Sequence, residues 1–214
     1  MNRQYGLIDR KSWQPFFTLL LFCGIGLLLT IPTARLLRDF DRVAFLPGIP
    51  IYFHVYAVFV GIFGLNIGAT SAARGERGRA VVVLLAARIL VAQALILPYF
   101  VFAWALHPGK EGAFVLIILY MTVVALLCAT AARLIENPGR RNAPRGFLLK
   151  YGLFTIYYAV PLFSVPTVSP LATVARILDG ESLCPLVVAF AVPLVLLSGC
   201  WLFLRRGLGG DVSV

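Results

Sequence analysis

Residues 51–100 are two long apolar stretches meeting at a basic knot, and that pattern decides what the chain can fold into. The first stretch, IYFHVYAVFVGIFGLNIGATSAA, gives way to RGERGR, and AVVVLLAARILVAQALILPYF follows at once. A bilayer core takes about 20 apolar residues in a helix, and each of these stretches reaches that length. Only helices and closed barrels satisfy every backbone group in lipid, and runs without alternation are helical. The pattern therefore predicts a hairpin of two membrane spans with a charged elbow. Small residues at Ala57, Gly61, Gly64, Gly68 and Ala72 recur every three or four positions along the first arm. That spacing sets them on one face, where small side chains let helix backbones come together in lipid. The stripe is read as helix packing that holds the elbow rigidly beneath it.

The rest of the chain agrees with this reading. Of its 214 residues, 60% are hydrophobic and 13% charged, whereas a soluble domain is nearer a quarter charged. The fold class expected is an all-α polytopic membrane protein of one domain, with no soluble domain. Six spans are predicted, at about 16–34, 47–73, 80–106, 113–132, 147–168 and 184–204. Residues 1–15, MNRQYGLIDRKSWQP, mix Arg3, Arg10 and Lys11 with Tyr5, Leu7, Ile8 and Trp13, a composition suited to an interfacial helix. They do not read as a cleavable signal peptide, because the apolar run starts only at Phe16. RLLRDFDR, from Arg35 to Arg42, reads as a solvated or interfacial turn, and Pro161 and Pro166 as a break in the fifth span. SPLATVARILDGES is amphipathic, too short and too polar to cross.

With six spans both termini lie on one side. That side carries 13 of the 19 Lys and Arg residues and the other carries 5, with Arg88 inside the third span. The positive-inside rule then places both termini in the cytoplasm. Three arginines of the first outer loop go against the count, and another pairing of the first span stays open. Arg88 is expected to snorkel back to the cytoplasmic interface. The net charge of +10 is read as attraction to anionic lipid, and nucleic acid as a partner is discounted.

Sites for chemistry are few. The one Gly-Lys pair, Gly109-Lys110, is followed by Glu111 and lacks a P-loop's earlier glycine. No acidic residue sits deep in a span, which disfavours ion coupling. Cys23, Cys128, Cys184 and Cys200 show no CxxC spacing, so neither zinc nor a redox pair is indicated. His54 and His107 fall on the same predicted side. They are open to two readings, a bis-histidine haem or metal site, or two unrelated histidines at headgroup level. No Ser/His/Asp motif accompanies them. Asn66 and Gln93, in adjacent spans, are candidates to bond across the hairpin and fix its register, or to line a substrate path.

The layout resembles the membrane subunit of ABC-2 type transporters. The nearest counterpart of that family's R-E-R-x-x-G stretch is Arg74-Gly75-Glu76-Arg77-Gly78-Arg79. Pro161, Pro166 and Ser169-Pro170-Leu171 are similar to the family's proline-rich fifth span and outer re-entrant segment. Trp201-Leu-Phe-Leu-Arg205-Arg206 is similar to its arginine-closed last span. The chain departs from the family in lacking a polar turn before AVVVLLAAR, so a coupling helix would be shortened or overlap Ala80 to Arg88.

The resemblance implies a permease in a bacterial cytoplasmic (inner) membrane, paired with a second copy or paralogue. Two cytosolic ATPase subunits would supply the hydrolysis, since this chain has no ATP site and is not expected to be an enzyme. Arg74, Glu76, Arg77 and Arg79 would be the coupling contacts, with Arg10, Lys11 and Trp13 a second contact. Spans one, two and five would line the route of an apolar or lipid-like substrate. Two rival readings are a non-transporting subunit of a respiratory or assembly complex, using the histidines for haem or only packing, and a small membrane enzyme acting on lipids. The scarcity of polar residues clustered at one depth argues against the enzyme.

Overall fold

A computed structural model of the chain describes residues 13–38, 48–76, 80–106, 111–136, 143–164, 168–180 and 183–207. These residues hold seven α-helices and no strand: α1 (Trp13–Arg38), α2 (Gly48–Ala73), α3 (Ala80–Leu106), α4 (Glu111–Ile135), α5 (Ala143–Ser164), α6 (Pro170–Asp179) and α7 (Leu183–Gly207). Stretches within four of them, Ile51–Ala73, Val81–Ala105, Glu111–Ile135 and Leu186–Leu204, are long and apolar enough to cross a membrane.

The helices differ from expectation mainly at their ends. α1 continues past Pro32 to Arg38, so Arg35 and Arg38 close a helix instead of opening a turn. α5 starts at Ala143 and runs through Pro161 to Ser164. Pro144 falls in its first turn, where a missing N–H costs nothing. Pro161 does not break it, and in-helix proline is common in spans because freed carbonyls find other partners. Residues 1–12, with Arg10 and Lys11, lie outside the described residues, and Trp13 heads α1 with an exposed side chain.

α2 and α4 form the centre. Around them pack α1 and α3 on one side and α5, α6 and α7 on the other. The core is aromatic at the end away from the elbow. There Phe53 of α2 meets Phe100 of α3 at 5.3 Å and Phe114 of α4 at 5.0 Å between ring centroids. Tyr56 sets its ring edge-on to Phe100 at 4.8 Å, a favourable quadrupole arrangement. Nearer the elbow, Phe16 of α1 packs edge-on against Phe63 of α2 at 4.9 Å.

Outside the core the surface is apolar. Val83, Leu90, Phe102, Leu148, Val195 and Phe203 all point outward, as befits helices surrounded by lipid. α6 is the exception. It buries Pro170, Thr173, Val174, Ile177 and Leu178 against the bundle and leaves Arg176 part-exposed and Asp179 exposed on its other side.

The stripe on α2 meets two helices, and neither is its neighbour in the hairpin. A Cβ placed on Gly64 or Gly68 would collide with the carbonyl oxygens of Ala125 and Ala129 on α4. At Gly61 it would collide with the hydroxyl of Tyr158 on α5, and that hydroxyl donates a hydrogen bond to the Ala57 carbonyl at 3.0 Å. The close approach the stripe was expected to permit is therefore made to α4 and α5.

Candidate functional site: a buried charge cluster at the elbow

The elbow begins where α2 stops. Gly75 adopts a left-handed φ of 65°, which costs a residue with a Cβ about 1–2 kcal/mol and glycine little. A Cβ there would meet nothing within 4 Å, so conformation and not space calls for glycine. The Gly75 N–H bonds to the Ala72 carbonyl at 2.9 Å, and the Glu76 N–H bonds to the Ser71 carbonyl at 3.3 Å. Those two bonds make a Schellman ending. It folds the chain back over the last turn of α2 and turns Glu76 toward the bundle.

Glu76 is 2% exposed and meets Arg88, itself 1% exposed, on the facing side of α3. Arg88 Nη2 donates to Oε1 at 2.8 Å and Nη1 to Oε2 at 3.1 Å. This two-pronged guanidinium–carboxylate pair is the strong form of such a bond. The Ser71 hydroxyl adds a third bond to Oε2 at 2.6 Å, and Arg74 Nη1 stands 4.0 Å from Oε1. From α4, Arg133 Nη2 donates to the main-chain carbonyl of Glu76. One acidic residue thus gathers three arginines and joins the ends of α2, α3 and α4. Desolvating charges is costly, and the two-pronged pairing of Glu76 with Arg88 offsets the burial of both.

A second ion pair extends the cluster. Lys150 of α5 holds Glu136, one residue past the end of α4, at 2.8 Å. The Lys150 ammonium also sits 5.0 Å from the centroid of the Tyr151 ring, and the Tyr151 hydroxyl donates to Asn66 Oδ1 at 3.0 Å. Asn66 therefore ties α2 to α5. Gln93 ties α3 to α2, its Oε1 accepting from the Tyr56 hydroxyl at 2.7 Å. Each amide has found a tyrosine, and the two do not bond to one another.

Glu76, expected at the docking surface, faces inward with its carboxylate bonded by Arg88 and Ser71. Arg74 remains partly exposed, while Arg77 and Arg79 lie outside the described residues. Arg88, expected at the aqueous interface, reaches back toward the elbow and finds a carboxylate in place of water. His54 is half-buried on α2, and His107 lies outside the described residues. Among the described residues, no group of three or more His, Cys, Asp or Glu is placed to hold a metal ion.

Two members of the cluster, Ser71 and Arg133, escaped the sequence reading. A signal was present: Arg74, Arg88 and Arg133 each follow an Ala-Ala pair. Ala72 and Ala132 are buried, and such small residues keep a helix thin beside its guanidinium, which lets the three arginines converge. Compared with known proteins, the chain matches no family model, no curated protein and no solved structure.

Proposed function

We propose that this chain is the membrane-spanning permease subunit of an ABC-type transporter, driven by ATP hydrolysed on a separate cytosolic subunit. In this reading it crosses a bacterial cytoplasmic membrane six times with both termini inside. It works beside a second copy or paralogue and engages its ATPases through the elbow and the segment around Arg10, Lys11 and Trp13. One observation carries the reading: the Glu76 cluster fastens the elbow to α2, α3 and α4 together. A push on the elbow is then delivered to three helices as one body, which is what a transmission point requires. The docking charges are Arg74, Arg77 and Arg79, and Glu76 is the internal fastening that stiffens them.

The test is a mild-detergent pull-down of the full chain, read by mass spectrometry and ATPase assay. An ATPase should accompany the wild type and be lost from an Arg77→Glu/Arg79→Glu double variant that still purifies as a folded protein. Recovery of the chain without any nucleotide-binding partner would sink the transporter reading.

A second reading is favoured by a different observation. The elbow is a turn at 74–76 and α3 begins at Ala80, which leaves only residues 77–79 between them and little length for a coupling helix. A non-transporting subunit of a larger membrane complex has no need of one. Co-purification with a respiratory or assembly complex, with haem absorbance if His54 and His107 are ligands, would favour that reading.

A further inference from the structure

The hairpins α2–α3 and α4–α5 are built on one plan. Ser71-Ala-Ala-Arg74 stands at the end of the first helix in one, and Thr130-Ala-Ala-Arg133 in the other. A glutamate follows each, Glu76 and Glu136, and each is held by a cation of the next helix, Arg88 and Lys150. That next helix carries an internal proline, Pro98 in α3 and Pro161 in α5. The two units also keep a constant register, with Phe53 against Phe114, Gly64 against Ala125 and Gly68 against Ala129. α2 and α4 therefore run parallel, and both fasteners lie at the same end of the bundle.

The copies differ in how firmly the second helix is seated. α3 buries Val81, Leu85, Ile89, Ile96 and Phe100 along its whole length. Among the described side chains of α5 before Tyr158, only Lys150 is buried, while Phe147, Leu148, Leu149, Leu153 and Ile156 face outward. Close packing is what joins helices in lipid, and this half of α5 has little of it. It is held by Lys150 on Glu136, by Tyr151 on Asn66 and by the Phe154 ring over Gly61. The fasteners differ in the same sense. Glu76 is sealed in and takes the Ser71 hydroxyl as a further bond. Thr130 turns its hydroxyl back onto its own helix, and the Glu136 side chain keeps 29% of its surface exposed. Water can receive Glu136 when its pair opens, and such part-exposed pairs hold weakly.

Past that half, α5 is anchored. Tyr158 is buried, its hydroxyl donates to the Ala57 carbonyl at 3.0 Å, and its own carbonyl accepts from Ser169 at 3.0 Å. Pro161 has no N–H to give the Tyr157 carbonyl, and helices bend where such a bond is missing. We propose that the elbow half of α5 is a gate, latched to α4 by Lys150 and Glu136 and hinged at the turn from Tyr157 to Pro161, while α2, α3 and α4 stay closed. Its opening parts α5 from α2 at Asn66 and Gly61. The gate is independent of any ATPase.

The experiment is double electron–electron resonance on the full chain, in a background without native cysteines. One spin-label pair, Val83→Cys with Leu148→Cys, occupies exposed positions at the elbow ends of α3 and α5, and a second, Val101→Cys with Val160→Cys, lies toward their other ends. The arm from Leu148 to Tyr158 is about 15 Å long, so a bend of about 20° moves its tip by about 5 Å. Lys150→Met and Glu136→Gln should each add a population about 5 Å longer for the first pair and leave the second pair unchanged. Adding Pro161→Ala to Lys150→Met should shrink the longer population about twofold, because the missing helix bond is restored. Each latch variant should lower Tm by less than Glu76→Gln does. An unchanged first distance in both latch variants would overturn the proposal. So would an equal shift of the second pair, which means that the whole helix leaves, or a longer population that ignores Pro161→Ala. A loss of Tm as large as that of Glu76→Gln would make the pair a structural bond and end the proposal equally.

Discussion

Glu76 occupies an unfavourable place for a negative charge. It follows the C-terminus of α2, where the helix dipole repels anions, and it is buried. Three guanidiniums and a hydroxyl offset both penalties, and the carboxylate becomes the centre of the elbow. Removing its charge with Glu76→Gln should therefore lower stability by about 3 kcal/mol, since three arginines would be left around a neutral group. Adding Arg88→Leu to that variant should restore part of the loss, and thermal melts of the four proteins of this double-mutant cycle would measure the coupling. Loss that is simply additive would show that Arg88 and Glu76 do not act as a pair. Each partner was visible in the sequence, Arg88 as a charge within an apolar run and Glu76 as the one acid of a basic knot. Their meeting was not visible, because it depends on the left-handed turn at Gly75 that sends the chain inward. Asn66 and Gln93 were hidden in the same way. Their place within the spans was legible, but their tyrosine partners are set by how α5 and α2 rotate about their own axes.

Among the elements, the α2–α4 contact is the least forgiving. Gly64 and Gly68 lie against main-chain carbonyls of Ala125 and Ala129, and a carbonyl in a helix cannot rotate aside as a side chain can. Gly68→Ala should cost about 1–3 kcal/mol through overpacking, while Gly112→Ala, which has open space around its Cβ, should be tolerated. Thermal unfolding of both variants in detergent makes the comparison, and equal Tm values would remove the close contact from the account. The stripe was legible as a packing face from its spacing alone. Its partner was not, because spacing along α2 does not say which helix faces it; Ala125 and Ala129 of α4 repeat the same four-residue spacing and fit it. Pro32 and Pro161 were legible as possible stops, yet α1 runs past the first to Arg38 and α5 past the second to Ser164. Pro32 and Pro161 carry a stop signal learned from water, and it is weaker where a helix has no solvent to fray into.

For the whole molecule, the order of apolar runs was enough to predict a helical bundle, with α6 as its short amphipathic member. Counting arginines gives an expected side for each loop, and that expectation can be tested directly. In a background without native cysteines, Lys110→Cys should react with a membrane-impermeant thiol reagent added outside cells, and Ser213→Cys only after the membrane is opened. Labelling of both from the same side would overturn the six-span arrangement. The notches at Gly64 and Gly68 also bear on how such a bundle can move. Two helices meshed at points one turn apart behave like a key seated in its keyway. Sliding by one residue, about 1.5 Å, would drive side chains of α2 onto the carbonyls that the glycines now admit. Lengthwise slip between α2 and α4 is therefore blocked, while tilting of the pair as a unit is not. Any working stroke of this protein must carry its two central helices together and take up the displacement at α1, α5 or α7.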